Sequence, residues 1–500
     1  MTLQEALEKV KGTLSQQETY WHAVSLINFD RETICPKDAM ERQGETAAFL
    51  SNQAFRLEKD PEYIAAAELL YEKREELPEF DRVLAESIHR DRRKTKNISP
   101  ELDHEFSLIY QKSYMDWLNA KQAADFSLFA PSLAAVRSVQ ERQVALRENP
   151  LPDAYNELLG DYEAGMTRET LDVVFDRCKE RLIPLLKKIQ ASPKKIRRDF
   201  LSREVTDDAQ RKLAEKLLAV MGYNFDRGLL ATTEHPFTDG LAQNDVRVTT
   251  HFYPTQFISS MYSVIHEGGH ALFEQLQPAE NFEHHIQYNK TSGMHESVSR
   301  FYENVLGRSE AFIHLVYPLV CECFPELMAD VSERELYEGV NLVEPSLVRT
   351  EADEFTYTLH IIIRYEIEKM IMDGAVKTED LPRIWNEKYQ EYLGVTPADD
   401  REGILQDVHW SSGFGYFPTY ALGNMYNAMY YNRMKQELPV EELVKEGRFD
   451  AINAWMTEHV FRTADRREPL VWIKEITGRT FTPDDFLDYL EEKYSKLYEL

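Results

Sequence analysis

Three side chains on one short stretch could carry out hydrolysis: His266, Glu267 and His270, in the pattern HExxH. Histidines four residues apart stand one above the other on a helix. Their imidazoles can then converge on one Zn2+ at about 2.0–2.1 Å. Glu267 follows the first histidine, close enough to take a proton from a water beside the ion without ligating it. It can later hand that proton to a leaving amine, which is the chemistry of peptide-bond cleavage. The pattern fixes only three positions, and a chain with 14 His would show it by chance in roughly one case in a few tens. Its weight therefore comes from what surrounds it.

The element that must position these residues is a helix over Gln256 to Gln277. Ile258, Met261, Ile265, Gly268, Leu272 and Leu276 form an apolar stripe at spacings of three and four. Ser263, His266, Glu267, His270 and Glu274 form a polar stripe, and Pro278 stops the helix. Gly268 and Gly269 each cost about 1 kcal/mol relative to Ala in a helix interior, so the spacing predicts a close approach to this backbone. A catalytic zinc site uses three protein ligands and keeps one position open. The next helix expected, Thr291 to Glu303, carries Glu296, far enough on for a loop to pass and a second helix to return alongside. His295, Glu296, Ser299 and Glu303 share a face there. A solvated helix glutamate is the bland reading of Glu296; with the motif upstream, the ligand reading is preferred.

Helical spacing dominates the rest. It predicts helices over Ala65–Asp91 with a break at Pro78, and over Thr167–Ile189, Asp207–Met221, Glu351–Asp373, Leu381–Leu393 and Pro483–Leu497. Val246 to Tyr253 alternates β-branched or aromatic residues with polar ones and reads as a half-buried strand. The expectation is a mostly α chain with a small sheet around residues 230 to 255.

The chain has 500 residues, 43% of them hydrophobic and 29% charged, ordinary for a globular protein with a large core. Its 58 basic and 86 acidic residues leave a net charge of −28, which argues against nucleic acid as a partner. Cys35, Cys178, Cys321 and Cys323 are scattered and read as reduced bystanders. The segment MTLQEALEKVKGTLSQQ has no basic stretch followed by an apolar core, and no run of about 18 apolar residues occurs. A cytoplasmic location without a membrane span is the expectation.

Further motifs appear in order. They are His235-Pro236-Phe237 (HPF), Asp245 to Thr249 (DxRxT), HExxH itself, Val348 to Asp353 ([IV]RxxAD), and Gly403 to Trp410 (GxxQDxHW), followed by Gly415 to Gly423. With them the chain resembles the carboxypeptidase Taq family over essentially its whole length. The resemblance implies a mostly helical, bilobed fold like that of the neurolysin and angiotensin-converting-enzyme group. Residues 1–500 would form one peptidase domain whose two lobes flank a deep groove, with the catalytic motifs within 235–423 and a small sheet beside the groove. It also implies release of single residues from peptide C-termini with broad preference, one Zn2+ per chain that Co2+ can replace, and a homodimer. Two positions depart from the family pattern. Val298 stands where a glutamine is usual, and Phe29 stands where tryptophan is frequent, which reads as a packing change.

A free C-terminal carboxylate calls for a cation, and arginine offers a two-pronged fit. The [IV]RxxAD match assigns this to Arg349, with Arg364 a weaker alternative. Donors for the developing oxyanion fall by the same resemblance to His409 and Tyr420, with Tyr416 also open. Arg247 either helps the strand bind an extended substrate backbone or, with Asp245, only pins that strand. The competing functions are an oligoendopeptidase on the same zinc scaffold and a non-catalytic peptide binder. The intact His266, Glu267, His270 and Glu296 set speaks against the binder, which has no need of a general base.

Overall fold

The structure is a computed structural model and describes residues 1–287 and 291–500. Helix makes up 71% of the chain, so the small sheet is a local device rather than a layer.

The chain opens with α1 (Leu3–Thr33), whose N-cap Thr2 and Glu5 bond reciprocally, and with α2 (Met40–Glu58). Next come α3 (Pro61–Glu72) and α4 (Glu79–Thr95), separated at Pro78 as expected. Ala6, Val10, Tyr63, Leu70, Val83 and Leu84 from these helices join Ile286 in a small core distinct from the main one. After α5 (Pro100–Ala123), α6 (Ala130–Ala145) and α7 (Ala154–Tyr162) come α8 (Arg168–Ala191), capped by Thr167, and α9 (Asp207–Met221). Both α8 and α9 lie where periodicity predicts them.

The strands β1 (Leu230–Thr232), β2 (Thr238–Ala242) and β3 (Asp245–Thr250) form a sheet of order β1-β3-β2. The central β3 is parallel to β1 and antiparallel to β2, with Val248 opposite both Leu230 and Thr238. It ends at Thr250, short of the expected Tyr253. Its last rung pairs Thr232 with Thr250, and Pro254 has no N–H to extend a ladder.

Three helices follow: α10 (Phe257–Leu276), α11 (Ala279–Glu283) and α12 (Ser292–Arg300). α10 packs against β3, α9 and α12. A Cβ on Gly269 would lie 2.7 Å from Ser299 Cα, so α10 and α12 meet backbone to backbone there. This is the approach the glycine pair implies. α12 gives way at Phe301 to a π-helical turn, Phe301–Leu306, instead of running on as α-helix to Glu303.

The remaining elements include α13 (Glu310–Cys323), α14 (Pro325–Met328), α15 (Glu333–Val340), α16 (Tyr357–Met372), α17 (Leu381–Tyr392) and α18 (Pro418–Glu437). The chain closes with a helix at Asp484–Tyr498. α16 starts six residues later than periodicity suggests. The Asp353 carboxylate accepts from the N–H of Phe355 (3.0 Å) and of Thr356 (2.9 Å) and from the Thr356 hydroxyl (2.8 Å). These side-chain bonds hold the backbone in a non-helical turn. α12 packs against α18. All four cysteines are free, and no helix among the described residues is long and apolar enough to cross a membrane.

Candidate metal centre and active site

α10 presents His266, Glu267 and His270 on one face, and α12 brings Glu296 to meet them. Donor atoms of His266, His270 and Glu296 all lie within 4.8 Å of one another. Glu296 Oε2 is 3.6 Å from His266 Nε2 and 3.4 Å from His270 Nε2. Ligand atoms around a tetrahedral zinc sit about 3.3 Å apart, given bonds of about 2.0–2.1 Å, so the spacing suits such an ion.

Hydrogen bonding decides which ring nitrogens face the cluster. Glu303 Oε2 lies 2.8 Å from His266 Nδ1, and an ionised carboxylate only accepts, so Nδ1 carries a proton and Nε2 is the nitrogen left to face the cluster. A longer chain does the same for the second histidine. His295 Nε2–H donates to Glu274 Oε1 (2.9 Å), which leaves His295 Nδ1 to accept from His270 Nδ1–H (2.6 Å). His270 Nε2 is thereby a bare donor. Burial, reinforced by the neighbouring His295 and His266, outweighs the Glu296 carboxylate and holds His270 down to about 3. Burial alone would raise the Glu296 carboxyl, but His266 and Arg300 hold it well below the usual range. Burial alone would lower His266, but Glu296 and Glu303 raise it above its ordinary value, so its Nε2 gives up a proton when a cation binds; two imidazoles and one carboxylate then fit a divalent ion.

Several residues that orient this set lack a strong local signal. Arg300 Nε donates to Glu296 Oε1 (2.8 Å) and its Nη1 to Glu303 Oε2 (3.1 Å), tying the two carboxylates together. Its place four residues after Glu296 is the cue that could reveal it. Ser299 Oγ donates to Glu296 Oε2 at 3.1 Å. Val298, at the position where the family usually has glutamine, is fully buried in the core instead. From β2, the Thr238 hydroxyl donates to Glu267 Oε2 at 2.7 Å, a contact between residues far apart in sequence. Glu267 is buried, and burial raises its carboxyl above the ordinary value, as suits a base.

A second group lies on the turn at Arg349 and on the segment leading into α18. His409 Nε2 lies 3.4 Å from the Tyr420 hydroxyl, and the Tyr416 and Tyr420 rings meet edge to face at 5.2 Å. On α18, a Cβ at Gly423, one turn after Tyr420, would stand 3.1 Å from Glu296 Cγ, so this wall lies beside the metal cluster. Burial first, and the Glu296 carboxylate next, push the Tyr416 phenol up. Burial lowers His409 to about 4, which keeps it neutral. The Arg349 guanidinium lies over the Tyr420 ring at 4.8 Å. Its Nε and Nη2 donate to Asp407 Oδ1 at 3.1 and 2.9 Å, and its Nη1 to the Tyr357 hydroxyl at 3.1 Å. Arg364, fully buried, donates to Asp407 Oδ2, the His360 carbonyl and Gln406 Oε1. One carboxylate thus faces two guanidiniums, and the trio keeps one positive charge. Arg247 forks onto Asp245 at 2.8 and 2.9 Å and lies over the Phe29 ring at 5.0 Å. Phe29 is itself buried against Phe237, a packing position.

A mostly helical chain whose HExxH helix is joined by a carboxylate from a second helix is built as a metallopeptidase. Comparison with known proteins narrows this. The model of the carboxypeptidase Taq (M32) metallopeptidase family matches residues 9–494, and the chain belongs to that family. It is therefore a metal-dependent carboxypeptidase, a peptide hydrolase. Carboxypeptidase 1 of Bacillus subtilis is 39% identical over 487 residues, 96% of each chain. Thermostable carboxypeptidase 1 of Thermus thermophilus is 35% identical over 97% of each. The crystal structure of the M32 carboxypeptidase from Deinococcus radiodurans R1 superposes with a TM-score of 0.95 at 31% identity, covering 99% of this chain and 100% of that one.

Proposed function

We propose that the protein releases single amino acids from the C-termini of peptides with broad preference, using one Zn2+ that Co2+ can replace. His266 and His270, through Nε2, and Glu296, through Oε2, would hold the ion. When bound, it supplies Lewis acidity, which lowers the pKa of a nearby water and polarises a carbonyl. Glu267, oriented by Thr238, takes the water's proton and returns it to the leaving amine. His409 and Tyr420, with Tyr416 beside them, donate to the carbonyl oxygen as charge develops on it. The Arg349, Arg364 and Asp407 trio offers its surplus charge to the substrate's terminal carboxylate through Arg349. Arg247 braces the strand along which an extended substrate would lie. The working form is a cytoplasmic homodimer, each chain one peptidase domain of two lobes around a central groove.

The observation that carries this reading is the convergence of His266, His270 and Glu296, with the buried base Glu267 on the same helix face. The test is mass spectrometry of a mixed peptide pool incubated with and without a chelator. Ladders shortened one C-terminal residue at a time, absent with chelator and absent for C-terminally amidated peptides, are expected. Internal fragments from amidated peptides would instead establish an oligoendopeptidase.

A further inference from the structure

The segment from Arg401 to Phe417 carries His409 and Tyr416 and contains only the short turn His409–Ser411 as regular structure. Something outside it must set its shape. Beneath it, from α16, comes Glu368, 1% exposed. Its Oε1 accepts from the indole N–H of Trp410 at 2.9 Å. Its Oε2 accepts from the backbone N–H of Gly415 at 2.9 Å and from the Tyr155 hydroxyl of α7 at 2.8 Å. Trp410 directly follows His409, and Gly415 directly precedes Tyr416. Gly415 has φ +96°, and a Cβ there would lie 2.8 Å from the Leu158 carbonyl carbon, so the segment sits against the α7 backbone.

Stability alone does not account for this carboxyl group. Burial pushes it up to about 7, against the pull of its three donors and of Arg364. Well-packed apolar side chains commonly do as well or better than a buried charge for stability. What a fully bonded polar group does add is a single defined geometry.

We propose that Glu368 is a positioning residue, whose carboxyl holds the Trp410 side chain next to His409 and the Gly415 backbone next to Tyr416, and so sets how these two residues are presented on the wall beside the metal cluster. This rests on the reading of His409 and Tyr416 as residues that act on the substrate. The hydrogen-bond partners of Glu368 are Tyr155, Trp410 and Gly415, none of them in the metal cluster, so it acts through His409 and Tyr416.

The test measures kcat, KM and zinc content of the metal-loaded enzyme on an N-acylated tripeptide with a free C-terminus. The variants are Glu368→Gln and Tyr155→Phe, each alone and on a His409→Ala, Tyr416→Phe background. Glu368→Gln keeps the shape but sets an N–H group against a donor. It is expected to lower kcat about tenfold or more, as misplacement of reacting groups does, with zinc content unchanged because α10 and α12 hold the ligands. Tyr155→Phe removes one of the three bonds and is expected to cost about threefold, the worth of an ordinary hydrogen bond; it decides the matter if Glu368→Gln does not fold. On the double-variant background both losses should largely vanish, because what Glu368 positions is gone. Equal losses on both backgrounds, or wild-type kcat in Glu368→Gln, would overturn the proposal. A His409→Ala, Tyr416→Phe enzyme with wild-type kcat would instead sink the reading of the segment itself, a separate outcome.

Discussion

The two halves of the site are held in place by different physics. The metal-facing half stands on two regular helices. His266 and His270 are one turn apart, as are Glu296 and Arg300, and the helices meet at a glycine. The opposite wall, with Arg349, His409 and Tyr416, lies on short turns rather than on a long helix or a strand. Its side chains are set by buried carboxylates, Asp407 under Arg349 and Glu368 under the segment ahead of α18. A helix fixes its side chains by period alone, whereas a loop wall depends on polar bonds reaching in from elsewhere.

This contrast can be broken or sharpened by mutation. The largest effect is expected at the base. Glu267→Gln should keep its zinc yet lose about 10²–10⁴-fold in kcat, the usual worth of general base catalysis. Metal analysis alongside turnover checks it; near-normal turnover would remove Glu267 from the mechanism. On the loop wall, Arg349→Ala should lower kcat/KM on free-acid peptides roughly ten- to a hundredfold, since charged contacts contribute about 1.5–3 kcal/mol. The preference for acid over amide should collapse, and Arg349→Lys should rescue only in part because it loses the fork. An unchanged acid-to-amide ratio would clear Arg349 of the role.

Behind the metal half, Glu303→Ala should weaken zinc binding about 10–100-fold, as loss of a carboxylate that orients a histidine typically does. Chelator competition reads this directly, and wild-type retention would show that helix geometry alone aims His266. The smallest effect is expected where the helices touch. Gly269→Ala places a methyl group 2.7 Å from Ser299 Cα and should cost about 1–3 kcal/mol through overpacking. A lower Tm is the signature, and an unchanged Tm would mean that α10 and α12 part more easily than their contact implies.

Sequence reading succeeds where one element supplies the whole pattern. α10 lies within one residue of its expected ends at both termini, and α8 and α9 start within one residue of where periodicity puts them. It succeeds less well at the ends of elements, where contacts other than the element's own period decide. Asp353 delays the start of α16, the π-turn at Phe301 interrupts the helix carrying Glu303, and β3 stops when its neighbour runs out. Asp353 acts through side-chain bonds to nearby backbone, and β3 ends where its pairing with β1 ends.

What the linear order of residues determines by itself is therefore the pair of histidines, the glutamate between them, the family motifs and the helical class, because periods of 3.6 and short motifs are local properties. Only the tertiary structure decides which nitrogens of His266 and His270 face the cluster. That follows from Glu303 on one side and from His295 backed by Glu274 on the other. It likewise decides that Arg364 is spent on Asp407, His360 and Gln406, and that Thr238 steadies Glu267. Proton positions and charge partners are set by atoms about 3 Å away in space, and the chain brings those atoms together only by folding.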